Sequence, residues 1–481
     1  MANRFVDPTK STGTLTGTCS FTNGSDVVNG SGTSFTSELS AGDYIKPDSA
    51  GYNEWYKVKT VDSDTQLTLE YNFAQDSISG VSTLYNSEDG TSADHAFCHI
   101  NQATVDEVRA AGDVIYLRRG QTYTYEATTI EFDEDGTYDN YITLRGDDGT
   151  GWSGEENLDR PIIDFGSSTN RFNVQADYYW KFHDLDIKGG SGSYGLFRAG
   201  GRNLRFYNCR FRDCTGGVYG AVFLFEGSGL IYFENCSWVG NSNNALKTRE
   251  AMKVKLKGCS FDGNVNCISA TKGSTVELED CDFGVTTSNS GNDIYIGDPA
   301  IEVIGRNIKL NDTNKVSFGS ECWASYVKIE DLDGEKDNHK TWYPEGTITR
   351  DTSVVRTGGA DSSARVEPNS YCSSNQPLEM FEFKIWAPAS QKTYSVYMRA
   401  SGWTSLPTSS ECYIEAEYYD QASGAHKATI TSTQSFSAND EWTEFSVTVT
   451  PAQTGVLRLR GYLKKYESGA KVYVDVKPVI S

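Results

Sequence analysis

The chain has 481 residues, enough for two or three domains, and its 65 acidic against 43 basic residues give a formal net charge of -22. Such a surface repels phosphate backbones and anionic membranes, so we expect no nucleic-acid partner and no membrane insertion. The opening residues lack the apolar run of a secretory signal, so we expect a protein that is made for the cytoplasm or leaves the cell by another route. The 11 cysteines are odd in number and form no zinc-type pair, which argues against a disulfide framework and a zinc site.

Residues 1–10 form a short opening segment, and residues 11–83 then interrupt the chain with a pattern of their own. Within this insertion, short alternating runs such as residues 28–35 and 58–69 are separated by Gly and Asp turns. This pattern predicts a small antiparallel β-domain. It resembles a small β-module common in phage tail and fibre proteins, and this resemblance implies an attachment or packing module.

One helix is predicted, over residues 93–112, where Phe97, Ile100, Val105 and Val108 fall roughly on one face. Gly112 is a C-terminal stop signal for it. The end of a parallel solenoid exposes unpaired strand edges and core. A helix at this position would therefore serve as a cap.

The centre of the chain contains a repeat at roughly 20–30-residue spacing. Its pattern is Leu204-x-Phe206-x-x-Cys209-x-Phe211, and the same slot holds Cys236, Cys259 and Cys281 in the following repeats. Period-two alternation at this spacing predicts one solenoid coil per repeat, with the cysteines inside. A leucine-rich repeat is the alternative, but its helical return does not suit residues 221–225, which read as a strand. We therefore predict an all-β chain with a right-handed parallel β-helix over residues 1–10 and 84–350.

After the solenoid, residues 351–481 carry longer strands without a helical pattern. Several strands of this kind predict a jelly-roll-like β-sandwich. The strands are predicted at residues 381–386, 394–400, 412–419, 443–449, 456–463 and 471–476.

Two segments resemble known families. Residues 1–8 together with AFCHINQATVDEVRAAGDVIYLRRGQTY (residues 96–123) resemble the opening of pectate-lyase-like β-helix proteins of the bacteriophage tailspike and virion appendage type. Residues 353–360 and 473–476 resemble the carbohydrate-binding-module type of jelly roll. The first resemblance implies a location on a virion, a homotrimer and contacts with other virion proteins. The second implies a glycan ligand.

The resemblance to pectate-lyase-like proteins also directs attention to the outside of the coil. Aligning the strand before each repeat predicts that Leu196 and Phe223 point inward. It predicts that Phe197, Ala199 and Leu224 point outward, together with the catalytic candidates Glu226, Lys247 and Arg249. A basic pair suits a polysaccharide lyase, in which one group removes the proton α to a uronate carboxylate. A glycoside hydrolase would need two paired carboxylates, and the sequence pairs none.

The predicted sandwich has a face that combines Tyr, Arg and Glu, residues that stack on sugar rings or bind hydroxyl groups. The alternative is a polar outer sheet held by cross-strand pairs. No cofactor is expected, although Asp475 is a candidate ligand for a structural Ca²⁺. The candidate carbohydrate-binding residues are Tyr397, Arg399, Trp403, Tyr413, Glu415, Glu417, Arg458, Arg460 and Tyr462.

These features favour a virion appendage, namely a tailspike, tail fibre or head fibre, that recognises a host-surface or environmental glycan. Because the solenoid shows one basic pair and no acid–base constellation, we expect recognition rather than catalysis. A polysaccharide depolymerase acting in the β-helix groove is the second hypothesis. A purely structural decoration protein of the virion is the third.

Overall fold

A computed structural model describes most of the chain. The described residues are 2–106, 110–125, 128–132, 135–174, 179–200, 203–216, 219–225, 229–249, 252–284, 289–298, 300–310, 316–318, 326–330, 339–343, 345–360, 362–387, 390–419, 426–451, 455–475 and 477–481. They form two compact units, one of Met1–Ile301 and Lys309–Glu321, the other of Glu302–Ile308 and Cys322–Ser481. Among the described residues, neither helical segment has the length and apolar composition needed to span a bilayer.

The insertion predicted at residues 11–83 is an antiparallel sheet within the first unit. Its strands follow the order β2-β9-β5-β6-β7-β4-β3-β8, and a short helix α1, Phe35–Glu38, packs against it. Phe21, Phe35, Leu67 and Phe73 belong to a core of its own. The strands before the solenoid are β1 Asn3–Val6, β2 Gly13–Thr14, β3 Thr18–Phe21, β4 Val27–Ser31, β5 Tyr44–Pro47, β6 Tyr56–Ser63, β7 Gln66–Leu69, β8 Ile78–Val81 and β9 Thr83–Asn86.

The predicted helix over residues 93–112 is wrong in length. Among the described residues of this range, only residues 100–106 are helical, and Gln102–Asp106 within them form a π-helical segment. Val108 lies outside the described residues. The preceding segment is extended because Phe97 pairs with the opening strand. Its N–H donates to the Phe5 carbonyl at 2.9 Å, and its carbonyl accepts from the Asp7 N–H at 2.8 Å.

The solenoid has seven coils of three short strands, and every coil pairs in parallel with the next. In chain order the coils are β10 Val114–Leu117, β11 Thr122–Thr124 and β12 Ile130–Glu131; β13 Ile142–Gly146, β14 Ile162–Asp164 and β15 Phe172–Val174; β16 Trp180–His183, β17 Asp186–Lys188 and β18 Phe197–Ala199; β19 Arg205–Tyr207, β20 Arg210–Arg212 and β21 Val222–Leu224; β22 Leu230–Glu234, β23 Ser237–Val239 and β24 Asn244–Thr248; β25 Lys253–Lys257, β26 Ser260–Asp262 and β27 Asn266–Ala270; and β28 Thr275–Glu279, β29 Asp282–Phe283 and β30 Ile294–Ile296.

The first strands of the coils, preceded by β1, form sheet 1, and the second strands form sheet 2. The third strands, followed by β32 Val316–Phe318, form sheet 3. Between sheets 1 and 2 the chain turns at one residue with positive φ, as at Asn208 (52°) and Asn235 (54°). Asparagine tolerates this left-handed conformation, so the turn keeps the same length from coil to coil.

The interior of the solenoid is built from columns of identical or similar side chains. The predicted cysteine column, Cys209, Cys236, Cys259 and Cys281, is buried, which confirms its inward register. Beside it, the rings of Phe206 and Phe233 stack with centroids 4.5 Å apart, and those of Trp238 and Phe261 stack at 4.7 Å. These columns and the parallel sheets exclude the leucine-rich alternative for the described coils.

The second unit begins with the parallel pair β31 Glu302–Arg306 and β33 Tyr326–Glu330 and continues in antiparallel sheets. One sheet contains β34 His339–Tyr343, β35 Gly346–Asp351, β36 Ser363–Pro368, β38 Lys392–Ser401, β41 Trp442–Val449, β43 Lys471–Asp475 and β44 Val479–Ile480. The other follows the order β37-β42-β39-β40, with β37 Leu378–Ala387, β39 Cys412–Tyr419, β40 His426–Thr431 and β42 Gly455–Leu463.

A single hydrophobic core lies between these two sheets of the second unit. Val396 and Met398 contribute to it from β38, and Ile414 and Leu459 contribute from the other sheet. The alternation predicted along these strands is therefore present, with charged and tyrosine side chains on the outer surfaces.

Candidate functional site

The outer surface of sheet 3 carries one row of side chains that runs across successive coils. Strand pairing aligns Glu131, Asn173, Arg198, Phe223 and Lys247 in this row. The residues before them, such as Phe172, Phe197 and Leu246, are buried inside the coil. Side chains alternate along a strand, so this row points outward. We call it the sheet-3 face.

The predicted register of this sheet was wrong in two coils. Phe197, Ala199 and Leu224 lie inside the solenoid, and Phe223 occupies the outward position next to Lys247. The cause is the return loop to sheet 1, whose length differs from coil to coil, so a constant offset from the repeat misplaces the strands. Lys247 does lie on the sheet-3 face as predicted, whereas Glu226 lies outside the described residues.

The surroundings of Lys247 make its ammonium group lose a proton more readily. Burial first, and then the nearby Arg249, lower the pKa of Lys247, while Asp298 opposes the shift. Its Nζ atom lies 5.2 Å from the centre of the Tyr219 ring. A lysine with a lowered pKa can remove a proton more readily near neutral pH, which is the property that a lyase base requires.

Next to Lys247, aromatic rings and guanidinium groups pack together on the face. The rings of Tyr194 and Tyr219 stack 5.2 Å apart at an interplanar angle of 10°. The Arg198 guanidinium lies 4.4 Å from the centre of Tyr194 and 4.5 Å from that of Phe225. The Arg171 guanidinium lies 5.1 Å from the same Tyr194 ring. One tyrosine is thus in contact with two cations.

Neither of these two guanidinium groups forms an ion pair with a carboxylate of the residues that the structure describes. Within the part of the chain that the structure describes, neither Arg171 nor Arg198 has a carboxylate oxygen within 4.0 Å. Burial and then the repulsion from Arg198 lower the pKa of Arg171. Among the same described residues, the Nε atoms of both arginines and the Oδ1 atom of Asn173 are buried without a hydrogen-bond partner. Asn173 is only 6% exposed, so this oxygen is a buried acceptor.

Glu131 is the acidic group closest to these arginines in the row. Its Oε2 atom accepts a hydrogen bond of 2.6 Å from the Asn173 amide. Burial raises the pKa of Glu131, and the Asn173 hydrogen bond and the charges of Arg171 and Arg198 oppose that shift. The face therefore combines excess positive charge, free polar atoms and aromatic surface in a protein whose net charge is -22.

The second candidate face, on the outside of the sheet containing β39 and β42, brings together six of the predicted residues. Tyr413 pairs with Tyr462, Glu415 with Arg460 and Glu417 with Arg458. We call this the sandwich face. Its tyrosine rings lie 5.5 Å apart, with the Lys464 ammonium 4.7 Å from the Tyr413 ring.

The charges of the sandwich face neutralise each other. Arg460 Nη2 lies 2.7 Å from Glu417 and 3.2 Å from Glu415. Arg458 Nη2 lies 2.8 Å from Glu382. Burial first, and then Glu379, raise the pKa of Tyr462 to about 12, so its hydroxyl keeps its proton at neutral pH.

Tyr397 and Arg399 lie elsewhere. Both are on β38, in the other sheet, so their side chains leave the opposite surface of the sandwich. The Arg356 guanidinium lies 3.9 Å from the centre of the Tyr397 ring, and Arg399 pairs with Asp440 at 3.1 Å. The structure therefore divides the predicted binding residues between two surfaces.

Trp403 was wrongly interpreted as a free loop aromatic. It is 3% exposed and belongs to the sandwich core, where its indole N–H donates to the Lys471 carbonyl at 2.9 Å. Because its ring packs inside the unit, it has no surface on which a sugar could stack.

Asp475, the candidate Ca²⁺ ligand, is also buried. Its Oδ2 atom accepts from Arg356 at 2.7 Å, and its Oδ1 atom accepts from the backbone N–H groups of Ala360 and Lys477 at 3.1 Å. Over the described ranges, no group of three or more His, Cys, Asp or Glu residues is arranged to hold a metal ion.

Sequence reasoning missed Arg171, Tyr194, Arg198 and Tyr219. One of them left a usable signal, because Arg198 stands between the apolar residues Phe197 and Ala199 as Lys247 stands between Leu246 and Thr248. Aligning the coils on this local alternation, rather than on a constant distance, would have placed Arg198 outward. The other three lie in or next to loops, where alternation gives no information.

Residues 168–330 match the family model described as "Right handed beta helix region". With the three parallel sheets, this match confirms the predicted right-handed parallel β-helix. No curated protein sequence matches the chain.

Solved structures with similarity to this chain include three of different kinds. The pectate lyase Pel9A is 15% identical, over 52% of this chain and 76% of that chain, with a TM-score of 0.32. The enzymatically active domain of bacteriophage CBA120 tailspike protein 4 is 10% identical, over 92% and 75%, with a TM-score of 0.22. A "Family 16 Carbohydrate Binding Module-2" is 14% identical, over 28% and 84%, with a TM-score of 0.20.

Proposed function

We propose that this chain is a virion appendage protein, of the tailspike, tail fibre or head fibre kind, that recognises an acidic glycan on its sheet-3 face. The observation that carries the glycan part is the pair Arg171 and Arg198, which flank Tyr194 without an ion pair to any described carboxylate. Sugar rings stack on tyrosine, and guanidinium groups bind carboxylates through directed hydrogen bonds. A saccharide with carboxylate groups satisfies both features.

The guanidinium groups agree with this ligand class. A sugar carboxylate accepts hydrogen bonds, and each guanidinium group presents several N–H donors in a fixed plane.

Binding of the intact protein to an array of acidic and neutral glycans tests this proposal. We expect acidic glycans to be retained, with the signal lost in Arg198→Ala. Arg205→Ala is the matched control, because the Arg205 guanidinium lies 4.5 Å from the Tyr141 ring on sheet 1. Retention of neutral glycans alone, or equal loss in both variants, would contradict the proposal.

We also propose the sandwich face as a second glycan contact, through the paired rings of Tyr413 and Tyr462. Its charged groups are already paired, so this contact would depend on stacking rather than on charge. The division of roles is a charged primary site on the solenoid and a neutral auxiliary site on the sandwich.

The virion part of the proposal is supported by the resemblance of residues 1–8 and 96–123 to the opening of virion appendages, and by the separate core of the inserted module. Assembly as a homotrimer and attachment to other virion proteins belong to the same proposal. Detection of the chain in purified particles by mass spectrometry, and a trimer mass in analytical ultracentrifugation, are the expected results. A gene neighbourhood without portal, capsid or tail genes would argue against it.

A polysaccharide lyase is the second candidate, and the lowered pKa of Lys247 beside Arg249 favours it. In this reaction Lys247 would accept the proton α to a uronate carboxylate while the bond to the glycosidic oxygen breaks. The products are an unsaturated uronate and a new chain end. Release of unsaturated uronate by the protein, abolished in Lys247→Ala, would establish catalysis; binding without release would leave recognition alone.

A further inference from the structure

A cavity lies at the N-terminal end of the sheet-3 face, between the inserted module and the first coil. It measures about 80 Å³. The module contributes Tyr44, Trp55 and Tyr71 to its walls, and the solenoid contributes His99 and Glu131. Aromatic rings therefore surround a space whose lining also contains the carboxylates of Glu131 and Glu70 and the ammonium group of Lys57, which lies 3.9 Å from Glu70.

His99, which lines this cavity, has one ring nitrogen without a hydrogen-bond partner among the described residues. Its ring stacks on Tyr44 with centroids 5.2 Å apart, and its Nδ1 atom accepts from the Asn101 N–H at 3.2 Å. Burial first, and then the charge of Lys57, lower the pKa of His99 to about 3, so the ring is neutral and carries its proton on Nε2. Among the described residues, this Nε2 has no hydrogen-bond partner, although His99 is only 3% exposed.

The cavity and the sheet-3 face share Glu131. This residue lines the cavity and also begins the row that continues through Asn173 to Arg198. Adjacent coils are ~4.8 Å apart, so Arg198 lies roughly 10 Å along the row from Glu131. A chain bound at Arg198 and directed toward Glu131 meets the walls supplied by the module.

We propose that this cavity binds the terminal residue of the acidic glycan, so that the protein recognises a chain end rather than an internal stretch. This inference rests on the proposed function of the sheet-3 face. The aromatic walls contact the C–H groups of the sugar ring, and a hydroxyl or carboxylate oxygen of the terminal residue accepts from His99 Nε2. A volume of about 80 Å³ is less than a whole sugar ring needs, so one edge of the terminal residue, with its hydroxyl or carboxylate group, enters the cavity while the rest of the ring lies at its mouth.

The number of intact protein molecules that bind to one polymer chain, measured for chains of different length, tests this inference. Hyaluronan, polygalacturonate and polysialic acid are each used as short oligosaccharides and as long chains, and bound protein per chain is measured by isothermal titration calorimetry. We expect one binding site per chain whatever its length. A number of sites that rises with chain length would overturn chain-end recognition but leave the glycan-binding function intact. Binding to none of the three polymers would overturn both.

Two variants locate the terminal residue. His99→Phe keeps a ring against Tyr44 and removes both the Nε2 donor and the Nδ1 acceptor of the Asn101 N–H, so its unfolding is measured alongside binding; we expect affinity to fall about tenfold, the effect of one lost hydrogen bond to the ligand. Tyr71→Ala changes a rim residue that is 49% exposed and should fold normally, with an expected loss of roughly fivefold. Tyr138→Ala, at a tyrosine 73% exposed and away from the cavity lining, is the matched control.

A direct readout separates a ligand in the cavity from water filling it. On saturation with the polymer that binds, the ¹⁵N resonance of His99 Nε2 should shift, because the atom gains an acceptor. An unchanged resonance, with affinity also unchanged in Tyr71→Ala, would overturn the inference, since the cavity would then hold water only.

Discussion

The sheet-3 face and the sandwich face contain the same kinds of side chain but use them differently. On the sandwich face, Arg460 lies within 3.2 Å of two glutamates, so its charge is neutralised by the protein. On the sheet-3 face, Arg171 and Arg198 share a tyrosine and have no ion pair among the described residues. We infer that charge neutralisation, rather than residue type, distinguishes the sandwich face, which its ion pairs hold together, from the sheet-3 face, which we propose binds a ligand.

The energetic consequence is opposite for the two faces. Neutralised pairs contribute modestly to stability, whereas two neighbouring cations without carboxylates repel each other and cost stability. A protein with 65 acidic residues has many carboxylates, yet none of the described ones is within ion-pair distance of these two arginines. We infer that the cost is offset when an anionic ligand binds.

The largest expected effect is on affinity for an acidic glycan. The double variant Arg171→Ala/Arg198→Ala should weaken binding at least about a hundredfold, because each charge-assisted hydrogen bond contributes roughly 1.5–3 kcal/mol. The matched double variant Arg458→Ala/Arg460→Ala should change it less than about threefold. Titration calorimetry measures both, and equal losses would remove the distinction between the faces.

The free energy of unfolding should respond in the opposite way: loss of an arginine should destabilise the sandwich face but not the sheet-3 face. Arg460→Ala leaves Glu415 without this cation and leaves Glu417 with only Arg458 Nη1, 4.0 Å away, so the sandwich should lose about 1–2 kcal/mol. Arg198→Ala removes a repulsive neighbour of Arg171 and should be neutral or slightly stabilising. Hydrogen exchange of the β39 and β42 amides, and of the β18 and β21 amides, reports the two regions separately. Loss of protection around Arg198 alone would refute this assignment.

The sequence predicted the sandwich face better than the sheet-3 face, and the reason is geometric. Tyr413, Glu415 and Glu417 lie on one long strand, where strict alternation determines which side chains share a face. In the solenoid the strands are short, and their register depends on loops of variable length. The cysteine column was predicted correctly because the turn at Asn208 or Asn235 has a constant length.

Pairing and burial between distant segments were not predictable from local pattern. Trp403 lies in a Gly- and Ser-rich stretch, so only the packed sandwich shows that its indole is part of the core. The extended segment at Phe97 has helical periodicity, but pairing with the opening strand prevails over that preference. His99 and Trp55 come together only because the inserted module packs on the first coil.

A smaller effect is expected from pH through Glu131. Burial raises its pKa above the usual value of 4.5, so lowering the pH from neutral protonates Glu131 before the sugar carboxylates, which titrate near ~3.5. In the window from neutral pH down to 4.5, His99, with a pKa of about 3, stays neutral. Loss of one negative charge beside the arginines should therefore increase affinity a few-fold as the pH falls through this window.

Glu131→Gln sharpens this test because it keeps the shape of the side chain without its charge. The variant should bind at neutral pH about as well as the unmodified protein binds at the lower pH, and its affinity should be independent of pH over the window. A variant that retains the full pH dependence would show that another group is responsible.

The smallest expected effect concerns the sandwich face. Tyr413→Ala/Tyr462→Ala removes two neighbouring rings that are partly exposed, and their contact with a sugar is worth about 0.5 kcal/mol, so retention on a glycan surface should fall roughly twofold. Tyr466→Ala is the control, since it removes a tyrosine that is 41% exposed in the same unit.

Because Arg458 and Arg460 are already neutralised, this loss should be the same at low and high salt, whereas binding at the sheet-3 face weakens as salt rises. Unchanged retention in the double variant would assign the sandwich face to stability alone, and a salt-dependent loss would show that its ion pairs open to bind the ligand.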